Sequence, residues 1–69
     1  MLEVDKVDVQ AIVDQYRLLP QSSVARNRVH SNLWHAERSR CLRAGYSKDE
    51  AAVKAREIAK EGVTLWKSP

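Results

Sequence analysis

The residues with the clearest chemical potential lie in one stretch of the chain, residues 23–44. This stretch holds five arginines, both histidines, the single cysteine and one of the two tryptophans. Guanidinium groups bind phosphate and carboxylate oxygens, and a tryptophan ring can stack on a nucleic-acid base or anchor a protein interface. The stretch therefore favours binding of a macromolecular partner. The candidate binding residues within it are Arg26, Arg28, Trp34, His35, Arg38, Arg40 and Arg43.

Catalytic and metal sites fit these residues poorly. The sequence has no nucleophile with a base and an orienting group, no pair of carboxylates in an apolar setting and no glycine-rich phosphate loop. His30 and His35 differ by roughly 140° of rotation on a helix, so they are not expected to share a metal ion or a proton. A closed zinc site needs four ligands, and only Cys41 and the two histidines are available. We predict a non-enzymatic protein without metal or cofactor.

Cys41 can be interpreted in two ways. Its neighbours Arg40 and Arg43 would lower the pKa of an exposed thiol, but its position beside Trp34 favours a small buried apolar residue. A single cysteine also excludes a disulfide within the chain and is typical of a reducing compartment. No apolar run approaches the ~20 residues that cross a bilayer, and the first residues lack the pattern of a secretory signal. The expected location is the cytoplasm, away from membranes.

The net charge of +3 is unevenly distributed along the chain. Residues 1–20 carry two basic and four acidic side chains, residues 21–44 carry five and one, and residues 45–69 carry five and four. The basic excess therefore lies in the central segment. Short, basic, helix-forming chains of this composition are typical of phage and mobile-element accessory proteins.

Apolar residues at spacings of three and four predict an all-α fold. We expect a single domain of residues 1–69 with helices near residues 8–19, 23–44 and 48–61, in which a helix hairpin is organised on the central basic helix. Asp5 or Asp8 can cap the first helix, and Pro20 should end it because proline disfavours helical geometry in the residue before it. The short Gln21–Ser23 connection favours an antiparallel neighbour.

The boundary between the second and third helices has the strongest local signals. Gly45 tolerates the left-handed conformation that ends many helices, and Ser47 with Glu50 forms a capping box. Gly62 is predicted to close the third helix. The tail after it is too short for another helix, and its two large apolar residues, Leu65 and Trp66, should either pack onto the core or bind another chain.

The segment from His35 through Gly45 to Ile58 resembles a helix-turn-helix in outline, with a helix, a tight glycine turn and a capped helix. That motif places apolar residues where this sequence has Arg40 and Lys54. We therefore do not assign the motif, and we do not predict a helix that reads the groove of DNA.

Two functions remain open. In one, the protein is a regulator or inhibitor that binds a partner protein, or nucleic-acid machinery, through apolar residues such as Trp34, Leu42, Leu65 and Trp66. In the other, it binds DNA or RNA directly with the arginines of the central helix. The arginines are dispersed around that helix, which weakens a groove-reading model. Because apolar residues lie on more than one side of the helix and the chain is short, we also expect a homodimer.

Overall fold

A computed structural model describes residues 6–68 of the chain. Within that part the backbone forms three helices and no strand: α1 is Val9–Gln15, α2 is Ser23–Arg43 and α3 is Lys48–Lys67. The prediction of a small all-α, three-helix protein is confirmed. Asp5, one of the two caps considered for the first helix, lies outside the described residues.

Helix α1 is shorter than predicted. It begins where the Asp8 carboxylate accepts a hydrogen bond from the Ala11 amide at 3.0 Å, but it ends at Gln15 instead of residue 19. After Gln15 the backbone amides donate to carbonyls three residues earlier instead of four, so the chain leaves the α-helix in tighter turns before it reaches Pro20. The carbonyl of Tyr16 accepts a 3.2 Å bond from the Leu19 amide and also a 2.9 Å hydrogen bond from the indole nitrogen of Trp66. The residue that ends α1 is thus bonded directly to α3.

Helix α2 ends as the sequence predicts. Its first turn is capped by Ser22, whose hydroxyl accepts a bond from the Ala25 amide. At its other end Gly45 has a φ of +99°, and the amide of Tyr46 donates to the carbonyl of Cys41 at 3.0 Å. This bond, with that from the Gly45 amide to the Leu42 carbonyl, forms a Schellman motif. The left-handed glycine turns the chain sharply into α3.

Helix α3 starts at the predicted capping box but runs past its predicted end. The Ser47 hydroxyl accepts from the Glu50 amide and donates to the Glu50 carboxylate. The helix then continues through Gly62 to Lys67, so the prediction of an end near residue 61 is wrong. Gly62 serves close packing instead of termination, because a Cβ atom there would lie 1.9 Å from Cδ1 of Leu33. Residues 63–67 therefore belong to the helix.

Helices α2 and α3 pack as an antiparallel hairpin. Gly62 of α3 lies against Leu33 of α2, and the side chain of Gln21 donates to the Trp66 carbonyl, so the end of α3 lies beside the start of α2. Three fully buried alanines of α3 allow the two backbones to approach closely; they are Ala51, Ala55 and Ala59. The pair lies side by side, unlike the crossed helices of a helix-turn-helix.

Helix α1 covers only one side of this hairpin. The Tyr16 hydroxyl accepts a hydrogen bond from Asn32 of α2, and the Tyr16 carbonyl binds Trp66 of α3. The core lies between the three helices and consists of Val13, Ala25, Val29, Leu33, Ala59, Val63 and Trp66. The opposite side of the hairpin has no helix over it among the described residues.

Candidate functional site

The side chains of α2 form four rows along the helix, each with a spacing of four residues: one buried row, a row on each flank and an exposed outer row. The central row is buried against α3 and contains Ala25, Val29, Leu33, Glu37 and Cys41. On one flank Asn32 contacts α1 through Tyr16. The rotation of about 100° per residue places the other flank on the uncovered side of the hairpin. That flank consists of Arg26, His30, Trp34, Arg38 and the half-buried Leu42.

Helix α3 adds basic residues to the same side. A cleft of about 320 Å³ lies between the two helices, and four of its six lining residues are basic or imidazole side chains; the lining is Arg26, His30, Lys60, Val63, Thr64 and Lys67. Helical rotation places Arg56 within roughly 40° of Lys60 and Lys67. We call this surface the basic face and define it as Arg26, His30, Trp34, Arg38, Arg56, Lys60 and Lys67.

Trp34 is half-buried at the centre of this face, where it packs against the core cluster. The exposed His35 ring meets it edge to face, with 5.0 Å between the ring centroids. The Arg38 guanidinium lies over the indole at 5.7 Å from the ring centroid, a distance within the range of cation–π attraction. The ring therefore holds Arg38 in place, and the guanidinium offers both its donors and its flat surface to a ligand.

Arg40 has a different environment from the other arginines of α2. Its guanidinium donates to the carboxylate of Glu37, which is only 6% exposed, and it approaches the sulfur of Cys41 at 3.6 Å. The hydrogen bond to Glu37 raises the pKa of Arg40 above its ordinary value. Its charge is balanced within the protein, which explains how an arginine can lie half-buried beside the central row of α2. Arg40 therefore does not contribute an unpaired charge to the surface.

Cys41 is buried, as predicted from its position beside Trp34. Burial raises the pKa of its thiol, and the nearby Glu37 carboxylate acts in the same direction. Arg40 opposes this shift without reversing it. The side chain therefore behaves as a small core residue, and its thiol is protonated at neutral pH.

Arg28 and Arg43 are exposed but lie apart from the basic face. Arg28 borders a second cleft of about 210 Å³ at the turn between α1 and α2, lined mainly by apolar residues that include Leu19, Pro20 and Val24. Arg43 occupies the last turn of α2, where its charge suits the negative end of the helix dipole. The structure thus distributes the five arginines of α2 among four different surroundings.

The two apolar residues near the carboxyl end pack inwards. Trp66 is 3% exposed and donates to Tyr16, while Leu65 is half-buried against the core. Of the two alternatives considered for them, packing onto the core is the one that the structure shows. Trp66 consequently offers no surface to a partner, whereas Trp34 and His35 remain accessible.

The basic residues of α3 were missed at the sequence level. Arg56, Lys60 and Lys67 have spacings of four and seven, which place them on one side of a helix. This spacing is visible in the sequence, but a third helix that ends near residue 61 does not include Lys67. The arginines of α2 also appeared dispersed because nothing in the sequence indicated which flank α1 would cover.

Within residues 6–68, no group of three or more histidine, cysteine, aspartate or glutamate side chains could hold a metal ion. None of the helices in that same range combines the length and the apolar character needed to cross a membrane. Comparisons of the chain with known protein families, curated proteins and solved structures give no match.

Proposed function

We propose that this protein is a small non-enzymatic accessory protein, of the phage or mobile-element type, that binds nucleic acid through its basic face. The observation that carries the proposal is the convergence of two helices on one side of the hairpin, where α2 and α3 contribute cations to a surface that α1 leaves uncovered. Phosphate contacts from Lys and Arg supply most of the sequence-independent affinity of nucleic-acid-binding proteins.

The dimensions of the face suit a nucleic-acid strand. Arg26 and Arg38 are twelve residues apart on α2, which corresponds to roughly 18 Å along the helix axis. At about 3.4 Å per phosphate along one strand of a duplex, this length matches roughly five phosphates. The flat guanidinium of Arg38, supported by Trp34, offers a surface on which an unpaired base can stack. Binding with little sequence preference is the expected result.

The two arginines nearest the start of α2 provide a matched test. Arg26 and Arg28 are both exposed and carry the same charge, but only Arg26 lies on the basic face. Titration of a labelled 20-nucleotide strand and a 20-base-pair duplex at two salt concentrations should show weaker binding for Arg26→Gln. Its salt slope should fall by roughly one unit, whatever the nucleotide sequence, while Arg28→Gln should bind like the unmodified protein. Equal losses in both variants would contradict a localised face.

A protein partner is the second candidate, and one surface favours it. Leu18 is 99% exposed and Val24 is 64% exposed, and with Leu19 they place apolar side chains at the turn between α1 and α2. Exposed apolar surface of this kind is typical of protein-binding sites. It is also where we would expect the contact of the homodimer inferred from the sequence, or the contact of a regulator with its target.

Sedimentation equilibrium of the unmodified protein and of Leu18→Lys tests this candidate. Leu18 makes no buried contact, so its replacement should leave the helix content unchanged. A dimer that dissociates in Leu18→Lys would support the apolar turn as an interface. A monomer in both cases would remove the homodimer and leave the basic face as the binding surface.

A further inference from the structure

We infer that the cleft between the first half of α2 and the last half of α3 is a binding site for one phosphate group. Arg26 and His30 line it from α2, and Lys60 and Lys67 line it from α3. This inference rests on the proposed function in one respect: it takes the phosphate to come from a nucleic-acid backbone. The site itself is defined by its lining.

The first argument is the charge of the lining. Three permanent cations and one imidazole border the cleft, and no acidic side chain does. Among residues 6–68 the ion pairs within 4.0 Å are Arg17 with Asp14 and Arg40 with Glu37, so the cleft cations are not paired there. Like charges brought together in this way repel each other. An anion in the cleft would relieve that repulsion.

The second argument concerns the donors. The Thr64 hydroxyl already donates to the Lys60 carbonyl at 3.0 Å, so its proton is used within α3. The donors that remain are the guanidinium of Arg26, the ammonium groups of Lys60 and Lys67, and an imidazole N–H of His30. Charged donors such as these form the stronger hydrogen bonds to phosphate oxygens. This set favours a phosphate over a neutral polar ligand.

The third argument is the shape of the site. Its floor is Val63, a buried residue of the core, and its walls come from two helices that pack along each other. The volume of about 320 Å³ is large enough for a phosphate group together with ordered water. A phosphate can therefore enter with part of its hydration shell, and the lysines can move to meet it. A backbone phosphodiester and a free phosphate compound share this chemistry.

The test compares two double variants with equal charge loss. Lys60→Gln with Lys67→Gln removes two cleft cations, and Lys6→Gln with Lys48→Gln removes two exposed lysines outside the basic face. Each variant lowers the net charge from +3 to +1. Binding of a labelled 20-nucleotide strand in low salt should weaken roughly tenfold in the cleft variant and only about twofold in the control. Equal affinities of the two variants would rule out the cleft as a contact for the phosphates of the strand.

A second measurement uses sodium pyrophosphate alone as the probe, against sodium chloride of equal ionic strength. Amide chemical shifts around Arg26, His30, Lys60 and Lys67 should change with pyrophosphate in the unmodified protein and not in the cleft variant. Pyrophosphate should also displace the strand if both occupy the same site. Shift changes spread evenly over the lysines and arginines of the chain would overturn the site.

The two experiments separate the inference from the proposed function. If pyrophosphate binds the cleft but no oligonucleotide binds the protein, the phosphate site stands and its ligand is a free phosphate compound. If the oligonucleotide binds equally well to both double variants, nucleic-acid binding stands and the cleft does not contribute to it.

Discussion

The two sides of the α2–α3 hairpin differ in what covers them. On one side the Tyr16 hydroxyl of α1 accepts a hydrogen bond from Asn32, and the Tyr16 carbonyl accepts one from the indole of Trp66. On the other side the equivalent flank of α2 carries Arg26 and His30, and the cations of α3 lie opposite. Both flanks repeat every four residues on the same helix. The seven-residue helix α1 therefore determines which flank of α2 is covered and which is left uncovered.

The largest loss of stability should come from Trp66→Ala, which removes the contact between α1 and α3. The change removes a buried ring of the core and leaves the Tyr16 carbonyl without its indole donor. Loss of a buried tryptophan typically lowers the free energy of unfolding by about 3–5 kcal/mol, which is most of the stability expected of so small a chain. Thermal unfolding followed by circular dichroism should show a protein largely unfolded at 25 °C.

Trp66→Phe is the control for that variant. It keeps an aromatic ring in the core but removes the indole N–H, so the loss should be about 1–2 kcal/mol. If Trp66→Ala unfolds at an unchanged midpoint temperature, Trp66 does not hold α1 against the hairpin. The two sides of the hairpin would then not differ in the way described.

A smaller effect is expected from Arg40→Ala. Arg40 has the same charge as Arg38, but it is paired with the buried Glu37, so its removal should lower the free energy of unfolding by about 1–3 kcal/mol. Arg43→Ala, three residues further along and exposed, should change it by no more than about 0.5 kcal/mol. Urea unfolding of both variants is the measurement. A larger loss of stability in Arg43→Ala than in Arg40→Ala would contradict the structural role of the pair.

The smallest expected effect is a pH dependence of the free energy of unfolding that comes from Cys41. Burial raises the pKa of Cys41 above its ordinary value of 9.0. Above about pH 9, the unfolded chain loses the thiol proton that the folded chain keeps, so the free energy of unfolding should fall as the pH rises through this window. In Cys41→Ala this contribution is absent. The stability difference between the two proteins should therefore shrink between pH 8 and pH 10 in urea titrations, and a constant difference would argue against a buried thiol.

The parts of the fold that local chemistry determines could be predicted from the sequence. The capping box at Ser47, the left-handed Gly45 and the cap at Asp8 each depend on residues within a few positions of one another. The ends of α1 and α3 could not be predicted in this way. Tyr16, at the end of α1, bonds to Trp66, fifty residues away, and Gly62, which lies inside α3, packs against Leu33 of α2.

The candidate site could be predicted only in part for the same reason. Arg26 and Arg38 were identified because basic residues are concentrated in the central segment. Lys60 and Lys67 join them through the register of the hairpin, which is a tertiary property. Conversely, Arg40 was included in the predicted site because a sequence does not show that the one acidic residue of α2, Glu37, would be buried beside it.

The close contact of Gly62 with Leu33 has a consequence for related sequences. A methyl group at position 62 would overlap the end of the Leu33 side chain, and Leu33 is fully enclosed, so the two positions share one volume. Relatives of this chain should therefore show covariation at this pair, with alanine at position 62 accompanied by a shorter residue such as valine or alanine at position 33. An alignment in which alanine at position 62 occurs freely with leucine at position 33 would show that the helices can separate to make room.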